Sequence, residues 1–440
     1  MKPTNKTVEY TLVASEFNWE LRQGKTIRAW GFNQQVPGPV IRANQGDKLV
    51  VKVINHLPEP TTVHWHGIRL PASMDGTDET QKPIQPGESF EYRFELPDAG
   101  TFWYHSHQNE TKQMERGMYG GIVIASSTDP VADNDRIFLI DDMKLNVKNE
   151  FKVQGTISRW IERHDGREGN TCLLNGKEAL SIRMNAGQIE RWRFVNAASA
   201  RYFKLNLQGK LFKVIATDGG LLEQPRTETE LLITPGERYD ILVGPFVEKD
   251  VFNMEALPYN RTTFLKSKHR KYATVHVMGN KPSKAQWLDQ LNNIQPLASQ
   301  DSPINRKVKL SVGASLHRGI DFLVNGEMHN MDKPVIMGEL QVWEVSNTSL
   351  MDHPFHLHGF FFQVIEENGK QPAYVAWKDT YNLKPKSKIK IAWMPDRPGS
   401  WMYHCHILEH HAAGMMAHFD VIDPQMPVQK KIKTLHSFHA

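Results

Sequence analysis

Trp401-Met402-Tyr403-His404-Cys405-His406, entered through Pro395-Asp396-Arg397-Pro398-Gly399, has a counterpart near the other end of the chain: Pro97-Asp98-Ala99-Gly100 leads into Phe102-Trp103-Tyr104-His105-Ser106-His107. In both copies the first His stands five residues after the Gly. A second correspondence runs through three segments. Gln45-Gly46-Asp47 leads through Val51 and Val53 to Asn55, Ala186-Gly187-Gln188 through Trp192 and Phe194 to Asn196, and Met337-Gly338-Glu339 through Val342 and Val345 to Asn347. Each is a Gly turn, a strand-like run and an Asn. Nine residues after the outer Asn residues come His64-Trp65-His66-Gly67 and His356-Leu357-His358-Gly359; nine after the middle one comes Leu205-Asn206-Leu207. The chain therefore reads as three related β-sandwich domains, with chemistry in the first and third and an apolar filler in the second.

The rest of the sequence agrees with an all-β fold. Ser387 to Trp393 alternates at period two, Lys48 to Val53 less cleanly, and Pro and Gly punctuate the runs between. Helical periodicity is weak, with Trp287 to Ile294 one candidate. Linkers are expected at Ser126 to Asp135 and Lys281 to Arg306, giving domains over 1–127, 136–280 and 307–440. At 440 residues the chain is long enough for several cores. Lys plus Arg number 53 against 49 Asp plus Glu, a diffuse balance of +4 that gives no nucleic-acid footprint. The longest apolar runs, such as Ile137 to Ile140, are too short to span a bilayer, so no membrane partner is expected.

Residues i and i+2 of a strand face one way. A single His-x-His pair is ordinarily two solvated histidines. Four pairs, His64/His66, His105/His107, His356/His358 and His404/His406, at matching points of two repeats point instead to one metal cluster shared by the outer domains. Cys405 lies between His404 and His406, so its sulfur points to the opposite face. Its expected partners are His353 and His410, with Met415 supplying a thioether or serving as a core residue. A thiolate, two imidazoles and a weak axial Met make a blue-copper arrangement; structural zinc, the competing reading, usually takes more thiolates. Cys172, the other cysteine, reads as a small buried apolar residue.

The set of motifs resembles the multicopper oxidases, from about Pro37 to Val421: His64-Trp65-His66-Gly67, His105-Ser106-His107, His353-Pro354-Phe355-His356-Leu357-His358-Gly359, and His404-Cys405-His406 through His410 to Met415. The resemblance implies three cupredoxin-like Greek-key sandwiches and four copper ions: one type 1, one type 2 and two type 3. It places type 1 copper on His353, Cys405 and His410 with Met415 axial, and type 2 on His64 and His356. It places one type 3 ion on His66, His105 and His406, the other on His107, His358 and His404. Asp75, in Met74-Asp75-Gly76, matches an acidic residue that delivers protons to oxygen, or else is a turn residue. The partners implied are O2 and a small-molecule reductant; oligomeric state is not visible in the sequence. The N-terminus, MKPTNKTVEYTL, lacks an apolar targeting core, and the family implies a periplasmic or secreted location with its signal removed.

Three departures matter. His411 stands where many bacterial relatives carry Glu, and reads as an exposed His or as a substitute. Lys307 to Asn325 holds no Met-rich insert, and Ser349 occupies the place of a carboxylate that binds substrate copper in cuprous oxidases, although Met351 remains. The expectation is a laccase-like oxidase of phenols and aromatic amines with an open type 1 edge at His410 or His353. The alternatives are a cuprous oxidase, a copper-tolerance or storage protein without turnover, and a structural protein that has lost copper.

Overall fold

The computed structural model describes residues 6–151, 156–261, 266–286, 288–315 and 319–425. Six sheets pair into three β-sandwiches. In the first, Lys25–Phe32, Thr7–Arg22, Lys48–Asn55 and Ser89–Glu95 pack on Gly38–Asn44, Tyr119–Ala125, Gly100–Ser106 and Val63–His64. In the third, the sheet carrying Gln341–Asn347 packs on one built from Met416–Ile422, Gly399–Cys405, His353–Leu357 and Thr380–Leu383.

The internal repeat is physical. Each Gly-turn strand lies parallel to the strand that opens its sandwich: Lys48–Asn55 beside Thr7–Ala14, Glu190–Asn196 beside Asn134–Ile140, and Trp343–Asn347 beside Arg306–Leu310. The Asn that ends each strand does the same work. Asn55 Nδ2 donates to the carbonyls of Glu59 and Ile84, Asn196 Nδ2 to those of Arg201 and Ile233, and Asn347 Nδ2 to those of Met351 and Leu383. Each Oδ1 accepts from the amide two residues on, at Leu57, Ala198 and Ser349. One buried amide thus closes a tight turn and ties it to a distant strand, so the segment that follows leaves every sandwich in the same direction. In the outer copies that segment carries histidines; in the middle copy Leu205 and Leu207 are buried in the core.

Trp287 lies outside the described residues, and 288–294 form no helix. Leu291 instead donates its amide to the Glu223 carbonyl and packs on Ile189, Ile215 and Leu242. Asn292 and Asn293 disfavour helix, and an extended linker reaches the apolar groove that a helix turn would miss. Cys172 is half-buried at the edge of the middle core, and both cysteines are free.

Candidate metal centre

Strand pairing sets the histidines in two facing rows. His64 is registered with His105 in the first sandwich, and His356 with His404 in the third. Across the interface the rings interleave: His66 stacks on His356 at 3.9 Å and 10°, and His64 on His358 at 4.0 Å and 28°. His105 and His406 approach to 5.8 Å, His107 and His404 to 6.1 Å. All eight imidazoles are buried. The two ends of the chain thus enclose one cage.

Most of the rings are tied on the outside of this cage. Nδ1 of His64 donates to the Asp75 carbonyl, that of His356 to the Asp379 carbonyl, and that of His358 to Asp75 Oδ2, each at 2.9 Å. His105 and His404 donate Nδ1–H to the carbonyls of Ser106 and Cys405. The inward nitrogens lack hydrogen-bond partners: Nε2 of His64, His105 and His356, Nδ1 of His66, and both nitrogens of His406. His358 Nε2 and His404 Nε2 face each other at 3.0 Å. Burial pushes His105, His358 and His404 well below the usual imidazole value and takes His406 down to about 3, so the rings are neutral. Buried lone pairs without donors are costly. Neutral imidazoles converging within 4.8 Å, as His64, His66 and His105 do, and likewise His64, His356 and His358, fit a group of imidazole-binding transition-metal ions.

Cys405 occupies the other face of the strand Gly399–Cys405. Its Sγ lies 3.5 Å from His353 Nδ1 and 3.6 Å from His410 Nδ1, and the two nitrogens are 3.2 Å apart. Met415, buried in the same core, offers its carbonyl to the Cys405 amide. Burial pushes the thiol up to about 12 and His353 down to about 3. A thiolate here requires a cation beside it, and the donor set suits a soft one.

The structure departs from the sequence reading at His411 and at the ring edges of His353 and His410. His411 is buried rather than exposed; it stacks on His404 at 4.2 Å, and its Nδ1 donates to Glu110 Oε2 at 2.8 Å. Glu110 reaches His107 Nε2 with its other oxygen, 3.1 Å away. Asn109, in the left-handed region at φ +42°, turns the short helix Glu110–Gln113 back toward the cage. Burial opposes both charges, but each partner overrides it, holding Glu110 below the usual carboxylate range and His411 above the imidazole value. A carboxylate from the first sandwich therefore stands between His411 and His107. The spacing His107-x-x-Glu110 was its only trace in sequence.

The expected open edge is closed. His410 and His353 are fully buried. Ser349 Oγ meets His353 Nε2 at 3.0 Å, and His410 Nε2 donates to the His164 carbonyl at 3.0 Å. The covering element is the helix Thr156–Asp165 of the middle sandwich, which packs on the helix Leu408–Ala412. Asp75 is buried behind His64 and His358, and Gly76 follows at φ +82°, where a Cβ would lie 1.9 Å from the Val63 carbonyl. Only glycine permits that turn.

The middle sandwich also reaches the cage. Arg238 holds Asp379 through paired contacts, Nη1 to Oδ1 at 2.6 Å and Nη2 to Oδ2 at 2.5 Å. Asp379 Oδ1 in turn lies 3.2 Å from His66 Nε2. Burial opposes ionisation of Asp379, but Arg238 overrides it and holds the carboxyl well below its usual range. Arg238→Met leaves that carboxylate buried without its cation. We expect a loss of about 3–5 kcal/mol in unfolding free energy, read from the urea midpoint, and weaker metal retention by the cage. A loss below about 1 kcal/mol would show that the pair is not holding the interface.

Multicopper oxidase family models match residues 14–129, 138–281 and 298–425. The chain is 31% identical to the multicopper oxidase MmcO of Mycobacterium tuberculosis, with 95% of this chain and 88% of that protein aligned. A multicopper oxidase from Campylobacter jejuni, described as a metallo-oxidase, superposes with a TM-score of 0.83 at 31% identity, covering 96% of this chain and 92% of its own. A laccase-like multi-copper oxidase from the lignin-degrading bacterium Ochrobactrum sp. superposes at 0.82 with 25% identity, covering 96% and 100%. With three matching family models in order and a buried imidazole cage beside a Cys–His–His triad, the chain belongs to the multicopper oxidase family and is an O2-reducing oxidoreductase.

Proposed function

We propose that the chain holds four copper ions and oxidises phenols or aromatic amines one electron at a time, coupled to reduction of O2 to water. The observation that carries this reading is the pair of donor sets on opposite faces of one strand, Cys405 with His353 and His410 on one side, His404 and His406 in the cage on the other. His353, Cys405 and His410, with Met415 beside them in the core, would hold the type 1 ion. His64 and His356 would hold type 2; His66, His105 and His406, and His107, His358 and His404, the type 3 pair. Copper in these sites supplies one-electron acceptance at Cys405 and four-electron reduction of O2 in the cage.

The remaining work belongs to the protein. The backbone of Cys405 joins its sulfur directly to His404 and His406. Hydrogen bonds accepted by Asp75, Asp379 and backbone carbonyls fix the tautomer and aim of His64, His66, His105, His356, His358 and His404. Asp75 and the Glu110–His411 pair contact different rings of the cage, each able to pass protons inward. Aromatic donors are favoured because Ser349, not a carboxylate, faces His353. In addition, the metal-binding groups of His, Cys and acidic residues among the described residues all belong to the two centres and their immediate supports.

A cuprous-ion oxidase with a copper-tolerance role is the second reading. It is favoured by the buried ring edges of His353 and His410, and by the likeness to a metallo-oxidase. Oxygen uptake by the copper-loaded chain separates the two. We expect a phenol such as 2,6-dimethoxyphenol to sustain uptake, with four electrons drawn per O2. Uptake with Cu(I) alone would overturn the aromatic-donor reading.

A further inference from the structure

Neither imidazole of the Cys405 centre can be touched from outside. His353 is capped by Ser349, and the flat face of His410 is stacked on buried Phe322 at 4.0 Å and 17°. The hydrogen bond from His410 Nε2 to the carbonyl of His164 is therefore a direct link from this centre to the covering helix. Gly166 makes the link possible. It ends the helix at φ +73°, and a Cβ there would stand 2.6 Å from both Ile407 Cγ2 and Ala200 Cβ. Only a glycine lets the helix terminus settle against the strand end beside His406, with a terminal carbonyl turned on His410. The His164 ring, next along the link, is stacked on Trp160 at 5.6 Å and 19°. Trp160 is 42% exposed, so part of its indole meets solvent at the outer end of this link.

We propose that Trp160 is the docking and electron-entry surface, and that the electron reaches His410 through the Trp160–His164 stack and the His164 carbonyl. This rests on the aromatic-donor reading above. A phenol lies against the indole by offset stacking, gives up one electron and releases its hydroxyl proton to water. The oxidised centre at Cys405 gains that electron, and O2 is the final acceptor. The negative end of the helix dipole at the His164 carbonyl polarises the His410 N–H and strengthens the contact. A second aromatic pair, Tyr202 and Tyr259, stacked at 5.5 Å, leads from a partly exposed ring toward the same core. Tyr202 makes a poorer conductor, because burial makes its hydroxyl a much weaker acid than usual and oxidation of a tyrosine requires loss of that proton.

The test is anaerobic mixing of the copper-loaded chain with 2,6-dimethoxyphenol, following loss of the blue absorption. Trp160→Ala is expected to bleach about tenfold more slowly, Trp160→Phe to recover most of the rate by restoring a ring, and Tyr259→Phe to match the wild type. The visible spectrum and the reduction potential of the Cys405 centre are expected unchanged in Trp160→Ala, which separates a port from a support for the site. A Trp160→Ala chain that bleaches at the wild-type rate overturns the port alone, as does a Tyr259→Phe chain that takes the tenfold loss instead. A wild-type chain that the phenol does not bleach overturns the aromatic-donor reading and the port together.

Discussion

Cys405→Ser is expected to abolish the blue thiolate-to-copper absorption and to lower phenol-dependent oxygen uptake by at least about a thousandfold, while the cage keeps its copper. The argument is local. Sγ stands 3.5 and 3.6 Å from two imidazole nitrogens that burial keeps neutral, and it is the one sulfur anion available to that pair. A serine hydroxyl fills the space but neither ionises there nor donates charge to a soft ion. His404 and His406 are held independently, through strand register and the Nδ1 contact of His404 to a carbonyl, so the cage should survive. Three readouts check this: the visible spectrum, copper content, and oxygen uptake. A Cys405→Ser chain that stays blue would end the assignment. One that loses all its copper would mean that the two faces of the strand are not separable.

Much of this was legible in the sequence because the information is short-range. A His-x-His pair needs only the two-residue period of a strand to put both rings on one side, and the same period sends Cys405 to the other. The Gly turn and the terminal Asn repeat because every sandwich needs the same buried amide at the same corner. The parts that stayed hidden are contacts between domains. His66 meets Asp379, His411 meets Glu110, and His410 meets the backbone of His164, each across more than two hundred residues. Nothing in Trp377-Lys378-Asp379-Thr380 or Pro235-Gly236-Glu237-Arg238 marks it as facing a metal cage. The covering helix was missed for a related reason. Thr156–Asp165 is polar along most of its length and bears no methionine, so neither its pattern nor its composition signals a lid over His410. The same gap explains why the middle sandwich read as apolar filler without chemistry, although it carries both Arg238 and that lid.

The second large effect concerns protons. Asp75→Asn is expected to slow oxygen reduction by about 10²- to 10⁴-fold, with the blue band and its anaerobic bleaching unaffected. Asp75 is buried against two cage rings. Oδ2 accepts from His358 Nδ1 at 2.9 Å, while Oδ1 has no hydrogen-bond partner and stays 3.3 Å from His64 Nδ1. One oxygen therefore orients a ring and the other remains open to a proton. Asn preserves the shape and, turned with its oxygen to His358, preserves the ring contact, but its amide nitrogen accepts no proton. Copper occupancy should hold and turnover should not. The loss should shrink as pH falls, because solvent protons then replace those the carboxylate relayed. Glu110→Gln acts at a different ring, where it breaks the ion pair with His411 and neutralises the charge beside His107. Asp75 hydrogen-bonds His358 and Glu110 hydrogen-bonds His411, so two separate relays predict that the double variant loses close to the product of the single losses. If Asp75→Asn kept more than about half of the wild-type rate at neutral pH, the carboxylate would be a ring support only. If the double variant were no slower than the worse single one, the two acids would form one relay rather than two.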